Sequence, residues 1–397
     1  MIRKNLFGMN SIINVVQHSK ILYNCYYYIG SLSVWLLKKF LKEDDKLIVF
    51  NSFGGRKYDD SPKALYLKMI DDPRFKEYKF VWAFRNANMF TIPKGKTVKI
   101  DSISYYITIL KARVWITNTT MTRALNFKGI NTFSLNTWHG SAIKKIGGDA
   151  IGNSTFVSKG ESKTDVYLAQ GEYDKKIFSK AFGIDSEKIK AIGLPRNDEL
   201  AVSDIHIKAK ALRDAYMIPQ TKKVILYAPT FREYEREGAN YTLSLPINWD
   251  KWRMSLGEQY MLLLRAHPAI VNKMDIKDNG FVIDVSRYEH LNDLMILSDM
   301  LISDYSSIFF DYAIQGKPMF CFSYDYERYE KERGMYFDIR KELNNECLDT
   351  EDKLLSAILN MNIEERIATS KRFRDKYVQK YGTAIVDSLN IVYNAIK

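Results

Sequence analysis

Two histidines stand where a proton could be moved. His139 lies in "NTWHGSAIKKIGGD" (136–149), after an apolar run and between a tryptophan and a glycine. His267 lies in "LLLRAHPAI" (262–270), two residues after Arg265. A neutral imidazole takes a proton from a hydroxyl at physiological pH more readily than an untuned carboxylate or lysine. Gly140 removes side-chain bulk beside His139, and Lys144, Lys145 and Gly147-Gly148 add charge and pliant backbone. On composition alone, His139 reads almost as well as a packed ring. Arg265 and His267 point the same way on a period-two strand that Pro268 stops. A cation and an imidazole at a strand end make a pyrophosphate clamp; a histidine packed under a loop is the alternative.

Other polar groups suit anions. In "YAPTFRE" (227–233), Thr230 offers a hydroxyl and Arg232 a planar fork matched to phosphate. In "ISDYSSIFFDYAIQGKPMF" (302–320), Ser303, Asp304, Ser306 and Ser307 crowd a turn before an apolar helix. Hydroxyls and N–H groups at a helix start attract anions, while Asp304 suits a cap and Asp311 a ribose or polyol hydroxyl. Gly54-Gly55 in "NSFGGRKYDDSPKALY" let backbone approach a ligand, but neither GxGxxG nor a Walker motif is present.

These groups need elements to hold them. From residue 46, short apolar runs alternate with helical stretches: "KLIVFNS", "KFVWAFR", "TVKI", "RVWITN", "TFSLNTW" and "VYLAQG" as strands, "SPKALYLKMIDD" and "SISYYITILKA" as helices. A charged helical stretch at 200–222 separates this series from a second: "KVILYAPT", "QYMLLLRAHP", "GFVIDVS", "MLISDYS" and "PMFCFSY", with helices at "HLNDLMILS" and "SIFFDYAIQGK". The alternation predicts two α/β domains with parallel sheets, 46–205 and 206–397. Ligands bind outside the carboxyl ends of such strands, where the polar motifs fall.

At 397 residues with 46% hydrophobic and 27% charged residues, the chain is globular and long enough for two domains. Cysteines 25, 321 and 347 have no metal spacing and form no even-numbered disulfide set, which fits a reducing compartment. A net charge of +12 asks for an acidic partner: phosphorylated substrate, anionic lipid or nucleic acid. The basic residues are spread along the chain, so nucleic acid is the disfavoured choice despite 26 tyrosines. Residues 21–37, "ILYNCYYYIGSLSVWLL", carry no charge and have lysine flanks. Tyrosines and Trp35 favour the interface, so 1–45 read as helical segments on a membrane face, with a buried helix or a short span as alternatives.

The ordered set "SFGGRKYDDSPK … NTWHG … KKIG … GLPRND … LYAPTFR … RAHP … SDYSSIFFDYAIQGKP" resembles the CDP-glycerol glycerophosphotransferase family of teichoic acid synthesis across roughly 46–340. The resemblance implies a GT-B fold, two Rossmann-like domains facing a cleft. It implies transfer of a polyol phosphate from CDP-glycerol or CDP-ribitol to a hydroxyl of an undecaprenyl-linked acceptor glycolipid, releasing CMP at the cytoplasmic membrane face. By position, His139 matches the family's general base and His267 its second essential histidine. Arg265, Thr230, Arg232, Ser303, Asp304, Ser306 and Ser307 match donor-site positions. Gly140 is the gap beside the base, and Lys144 neighbours an anionic acceptor or the membrane. Gln315 and Lys317 match in pattern. No metal or other cofactor is called for: no DxD-type motif is evident, and arginines and helix starts take a metal's part.

Overall fold

Short runs of mostly apolar residues build two parallel sheets. The computed structural model describes residues 19–151, 163–230, 232, 236–237, 240–241, 245–266 and 280–397. Helix α1 (Lys20–Lys38) leads into β1 (Asp44–Asn51), α2 (Asp60–Met69), β2 (Lys79–Phe84), β3 (Lys96–Lys99), α3 (Ile103–Lys111), β4 (Ala112–Thr117), β5 (Phe133–Asn136), β6 (Val166–Ala169), α4 (Glu172–Phe182) and β7 (Ile189–Ala191). These strands form a seven-stranded sheet in the order β3-β2-β1-β4-β5-β6-β7. All its pairings are parallel.

After α5 (Ile205–Ala215) come β8 (Lys223–Ala228), the small antiparallel pair β9 (Arg236–Glu237) and β10 (Asn240–Tyr241), α6 (Trp249–Leu256), β11 (Tyr260–Leu264), β12 (Val282–Asp284), α7 (Leu291–Leu297), β13 (Met300–Ser303), α8 (Ile308–Ala313) and β14 (Met319–Cys321). The second sheet runs β12-β11-β8-β13-β14, again parallel. The expectation of an α/β fold with two parallel sheets therefore holds. Each sheet is buried on both faces, so its strands read as near-continuous apolar runs such as Ile48, Val49 and Phe50 or Leu262, Leu263 and Leu264.

Helices α9 (Tyr326–Arg333), α10 (Ile339–Glu342), α11 (Glu351–Leu359), α12 (Ile363–Tyr377) and α13 (Ala384–Ile396) complete the chain. The last crosses back: Leu389, Val392 and Ile396 of α13 pack with Ile48, Phe50 and Leu135 of the first sheet. The Asp198 carboxylate accepts from the Ala384 and Ile385 N–H groups at 3.1 and 2.7 Å, satisfying the start of α13.

Helix α1 packs by one face. Tyr23 and Val34 are buried, Gly30 lies against Leu125, and the Tyr26 hydroxyl donates to the Arg123 carbonyl at 2.8 Å. On the opposite face Ile21, Cys25, Tyr28, Leu32 and Leu36 recur at helical spacing and are exposed. No helix among the described residues is long and apolar enough to cross a membrane.

Candidate active site

Both sheets share one topological feature. The first strand of each, β1 or β8, pairs on one side with the next strand of its own sheet, β2 or β11, and on the other with a later strand, β4 or β13. Where the strand order reverses in this way, a crevice opens at the carboxyl ends of the two central strands.

In the first lobe that crevice is closed by side chains from the loops after β1 and β4. The Asn118 Oδ1 accepts from the Phe53 N–H at 2.7 Å, and the Thr119 hydroxyl oxygen accepts from the Gly54 N–H at 3.2 Å. The Asn118 carbonyl lies 2.9 Å from His139 Nδ1. A carbonyl can only accept, so Nδ1 carries the proton and the neutral ring keeps its lone pair on Nε2. β5 ends at Asn136, whose Oδ1 accepts from the Trp138 N–H at 2.9 Å. This side-chain turn holds Trp138 at φ 50° and swings His139 out of the ladder. The Trp138 ring lies 4.0 Å from the imidazole and the Phe53 ring 5.8 Å, centroid to centroid. Burial holds the imidazole below its usual pKa. The Asn118 hydrogen bond and Asp60 oppose this, and the Arg196 and Arg56 cations add to it. The ring is therefore neutral at physiological pH.

Gly140 has φ +138°, and a Cβ there would sit 3.2 Å from the Ser307 hydroxyl and 3.3 Å from Arg196 Nη2. The lobes meet at this glycine. Arg196 spans the junction. Its Nη1 donates to Asp60 Oδ2 at 2.6 Å and to the His139 carbonyl at 2.9 Å, and its Nη2 donates to Asp311 Oδ2 at 2.8 Å. Asn197 Nδ2 donates to Asp311 Oδ1 at 2.6 Å and to Gln170 Oε1 at 3.0 Å. Asp311 is thus committed to Arg196 and Asn197, which corrects its reading as a ribose or polyol ligand.

The second lobe's crevice joins the loops after β8 and β13. Asp304 accepts from the Thr230 N–H at 2.9 Å and the Tyr305 N–H at 2.7 Å, so it ties two strand exits together and does not cap α8. Thr230 Oγ1 is buried with no hydrogen-bond partner among the described residues. Ser306 and Ser307 are half-buried at the start of α8, and the Ser306 hydroxyl oxygen accepts from the Ile308 N–H at 3.3 Å. Arg265 is half-buried; its Nη1 donates to the Tyr288 carbonyl at 2.6 Å. Burial lowers its pKa, opposed by Asp59 across the cleft.

Several expected donor groups are spent on structure. Arg232 has a side-chain exposure of 0% and meets Asp304 at 2.9 Å and Asp325 at 2.7 Å. Its guanidinium also packs against the rings of Tyr305, Tyr324 and Tyr329. It is an internal tie, not a phosphate fork open to the cleft. Ser303 is buried and donates to the Ala228 carbonyl at 2.6 Å. Lys144 forms a β-bridge with Met335, so its backbone stitches the lobes. Lys317 Nζ donates to the carbonyls of Met295, Ile296 and Ser298, and Gln315 Nε2 donates to that of Met295, closing the end of α7. His267 lies outside the described residues. The sequence alone assigned no role to Arg196, Asp60, Asn118 and Asn197; the visible signals were "GLPRND" for Arg196 and Asn197, "YDDSPK" for Asp60, and the end of the strand run "RVWITN" for Asn118.

With this geometry in place, similarity to known proteins decides the family. The model of the CDP-glycerol:poly(glycerophosphate) glycerophosphotransferase family matches residues 34–383. The chain belongs to this family. It is 36% identical over 321 residues to a teichoic acid poly(glycerol phosphate) polymerase of Staphylococcus epidermidis, which covers 76% of this chain and 44% of that protein. It is 31% identical over 388 residues to a teichoic acid glycerol-phosphate transferase of Staphylococcus aureus, which covers 94% of this chain and 95% of that one. The solved structure of the wall teichoic acid polymerase TagF superposes with a TM-score of 0.82 at 30% identity, covering 100% of this chain and 97% of that one. A substituted form of TagF has been soaked with CDPG. Membership makes this chain a transferase of the CDP-polyol class, on the GT-B arrangement its two lobes display.

Proposed function

We propose that this chain moves glycerol phosphate from CDP-glycerol to a hydroxyl of a lipid-linked acceptor, releasing CMP. The observation that carries the reading is the His139 tautomer. Its Nδ1–H is held by the Asn118 carbonyl, so Nε2 is the basic atom, at the crevice of the first lobe and beside the second. The acceptor hydroxyl oxygen attacks the β-phosphorus of the donor while Nε2 takes its proton. The bond from that phosphorus to the bridging oxygen breaks, and CMP leaves with the bridging oxygen and the electron pair. Charge grows on the non-bridging and leaving oxygens, where N–H and O–H donors are worth most. Arg265 and the Ser306–Ser307 turn supply such donors. His267, the residue after Ala266 in the sequence, is assigned the proton donation to the departing phosphate on the family resemblance alone.

The acceptor's lipid accounts for the exposed stripe on α1. Ile21, Tyr28, Leu32 and Leu36 face outward with Phe40 beyond them. Such a face, flanked by Lys20, Lys38 and Lys39, binds an anionic bilayer surface without spanning it. The enzyme then works at the cytoplasmic membrane face.

The test is CMP release with CDP-glycerol or CDP-ribitol and a lipid-linked acceptor. His139→Ala lowers turnover by ~10²–10⁴-fold, the range for loss of a general base. A folded His139→Ala within a few-fold of wild type removes the base from His139. No CMP from either donor removes the reaction, and faster CDP-ribitol turnover reassigns the donor.

A further inference from the structure

On the reading of His139 as the base, we propose that Arg196 is the positioning residue of this site: one guanidinium fixes the His139 loop and sets its separation from the serine turn of the second lobe. Arg196 sits in the short turn Pro195–Leu200, between the last strand of the first sheet and α5. Its fork reaches Asp60 and the His139 carbonyl in one lobe and Asp311 in the other. Its backbone is held as well. The Arg196 N–H donates to the Ser61 hydroxyl at 3.3 Å, and its carbonyl accepts from Asn292 Nδ2 at 2.7 Å. Loops of both lobes therefore converge on a single residue.

The partners are committed to this geometry. Asp60 is held at φ 67°, left-handed backbone that a non-glycine residue keeps only when its surroundings over-determine it. The side chains of Arg196, Asp60 and Asp311 are 15%, 5% and 4% exposed. Buried ion pairs are a weak source of stability, but removing one partner strands a charge, so the set has few alternative arrangements. The arginine touches the carbonyl of the base's own residue. One residue on, Gly140 is so close to both Arg196 and Ser307 that a Cβ would crowd each. Base, arginine and serine turn thus share one packing contact, and a shift of the fork moves the base against the donor's phosphates. Lysine cannot replace it, because a single ammonium has no planar fork.

The charged groups acting on the imidazole are Asp60, Arg196 and Arg56; Asp311 of the second lobe meets Arg196. Removing the Arg196 cation leaves Asp60 unpaired beside His139, and both changes raise the imidazole's pKa.

Three measurements test this. Arg196→Lys lowers kcat by ~10²-fold, the cost of about 1 Å of misplacement, while KM for CDP-glycerol changes less than about threefold. Arg196→Met moves the acid limb of kcat/KM upward in pH. NMR titration of the His139 ring, recorded without substrate, moves the same way and needs no turnover. A wild-type kcat in Arg196→Lys, or an unmoved His139 titration in folded Arg196→Met, overturns the positioning role. Full turnover in His139→Ala alongside a moved titration overturns the base and leaves the contact standing. If Arg196→Met does not fold, Asp311→Asn replaces it, because it removes only the charge across the cleft. A kcat at least about tenfold down with KM little changed is then expected, and a wild-type kcat overturns the proposal.

Discussion

Asp174→Asn converts a buried acid into a pH-independent group, and stability should respond with a definite sign. Asp174 lies in the first turn of α4 with 1% exposure. Its Oδ2 accepts from the Ser141 hydroxyl at 2.7 Å and the Gln170 N–H at 3.0 Å, while Oδ1 is buried with no partner among the described residues. Burial therefore pushes its carboxyl from 3.8 up to about 7, against the pull of those two hydrogen bonds. The folded state holds the proton more tightly than the unfolded chain. The stabilisation is complete below the unfolded value near 4, is lost as pH rises through about 7, and is flat above that. At about 1.4 kcal/mol per pH unit, the gap is worth at most roughly 4 kcal/mol. Asparagine keeps an acceptor for Ser141 and Gln170 and never ionises. Hydrogen exchange of the β6 and α4 amides, which reports this lobe alone, checks it between pH 5 and 8. Wild-type protection should fall with pH relative to the variant, until the variant is ahead by up to ~4 kcal/mol. Parallel wild-type and variant profiles would refute the burial of an acid that is protonated at pH 5.

Three further outcomes separate scaffold from site. Gly140→Ala puts a Cβ against Ser307 and Arg196 on backbone at φ +138°. Strain of ~1–3 kcal/mol should then cut kcat about tenfold or more in steady-state CMP release. Arg232→Met strands Asp304 and Asp325 and should destabilise the second lobe by ~3–5 kcal/mol in denaturant melts; a normal melt with a raised KM would restore Arg232 as a phosphate fork. Leu32→Asp with Leu36→Asp should reduce co-sedimentation with anionic vesicles at least about tenfold, leaving turnover of a soluble acceptor analogue intact.

The strands were legible because both sheets are covered on two faces. A strand such as "KLIVFNS" then has no polar alternation to dilute it, and it folds as β1. Strand ends were less so. The run 132–138 stops at Asn136, because its side chain turns the backbone at Trp138 before the apolar residues run out. β7 went unseen: "IKA" is three residues with one exposed lysine, and only pairing with β6 makes it a strand. Helix α2 begins at Asp60, one residue before the run "SPKALYLKMIDD", since Asp60 is drawn to Arg196 and Ser61 faces the Arg196 backbone.

The site was legible by place and illegible by pairing. His139 and Arg265 fall at the carboxyl ends of strands, and a switch point follows from chain order alone. The fate of an arginine does not. Arg232 follows a strand in a motif suited to phosphate, yet Asp325, its partner 93 residues later, takes its Nε and Nη2. Arg196 follows a proline in a short turn, yet it meets carboxylates 136 residues before and 115 residues after it. Both are guanidiniums in motifs of similar polarity, and what separates them is the acids the fold delivers. Arg232 receives two carboxylates from its own lobe and becomes part of the core. Arg196 receives one from each lobe, so the same chemistry becomes a link between them. A spread positive charge says how many cations a chain has to spend; only the register of distant loops says which remain to meet a phosphate.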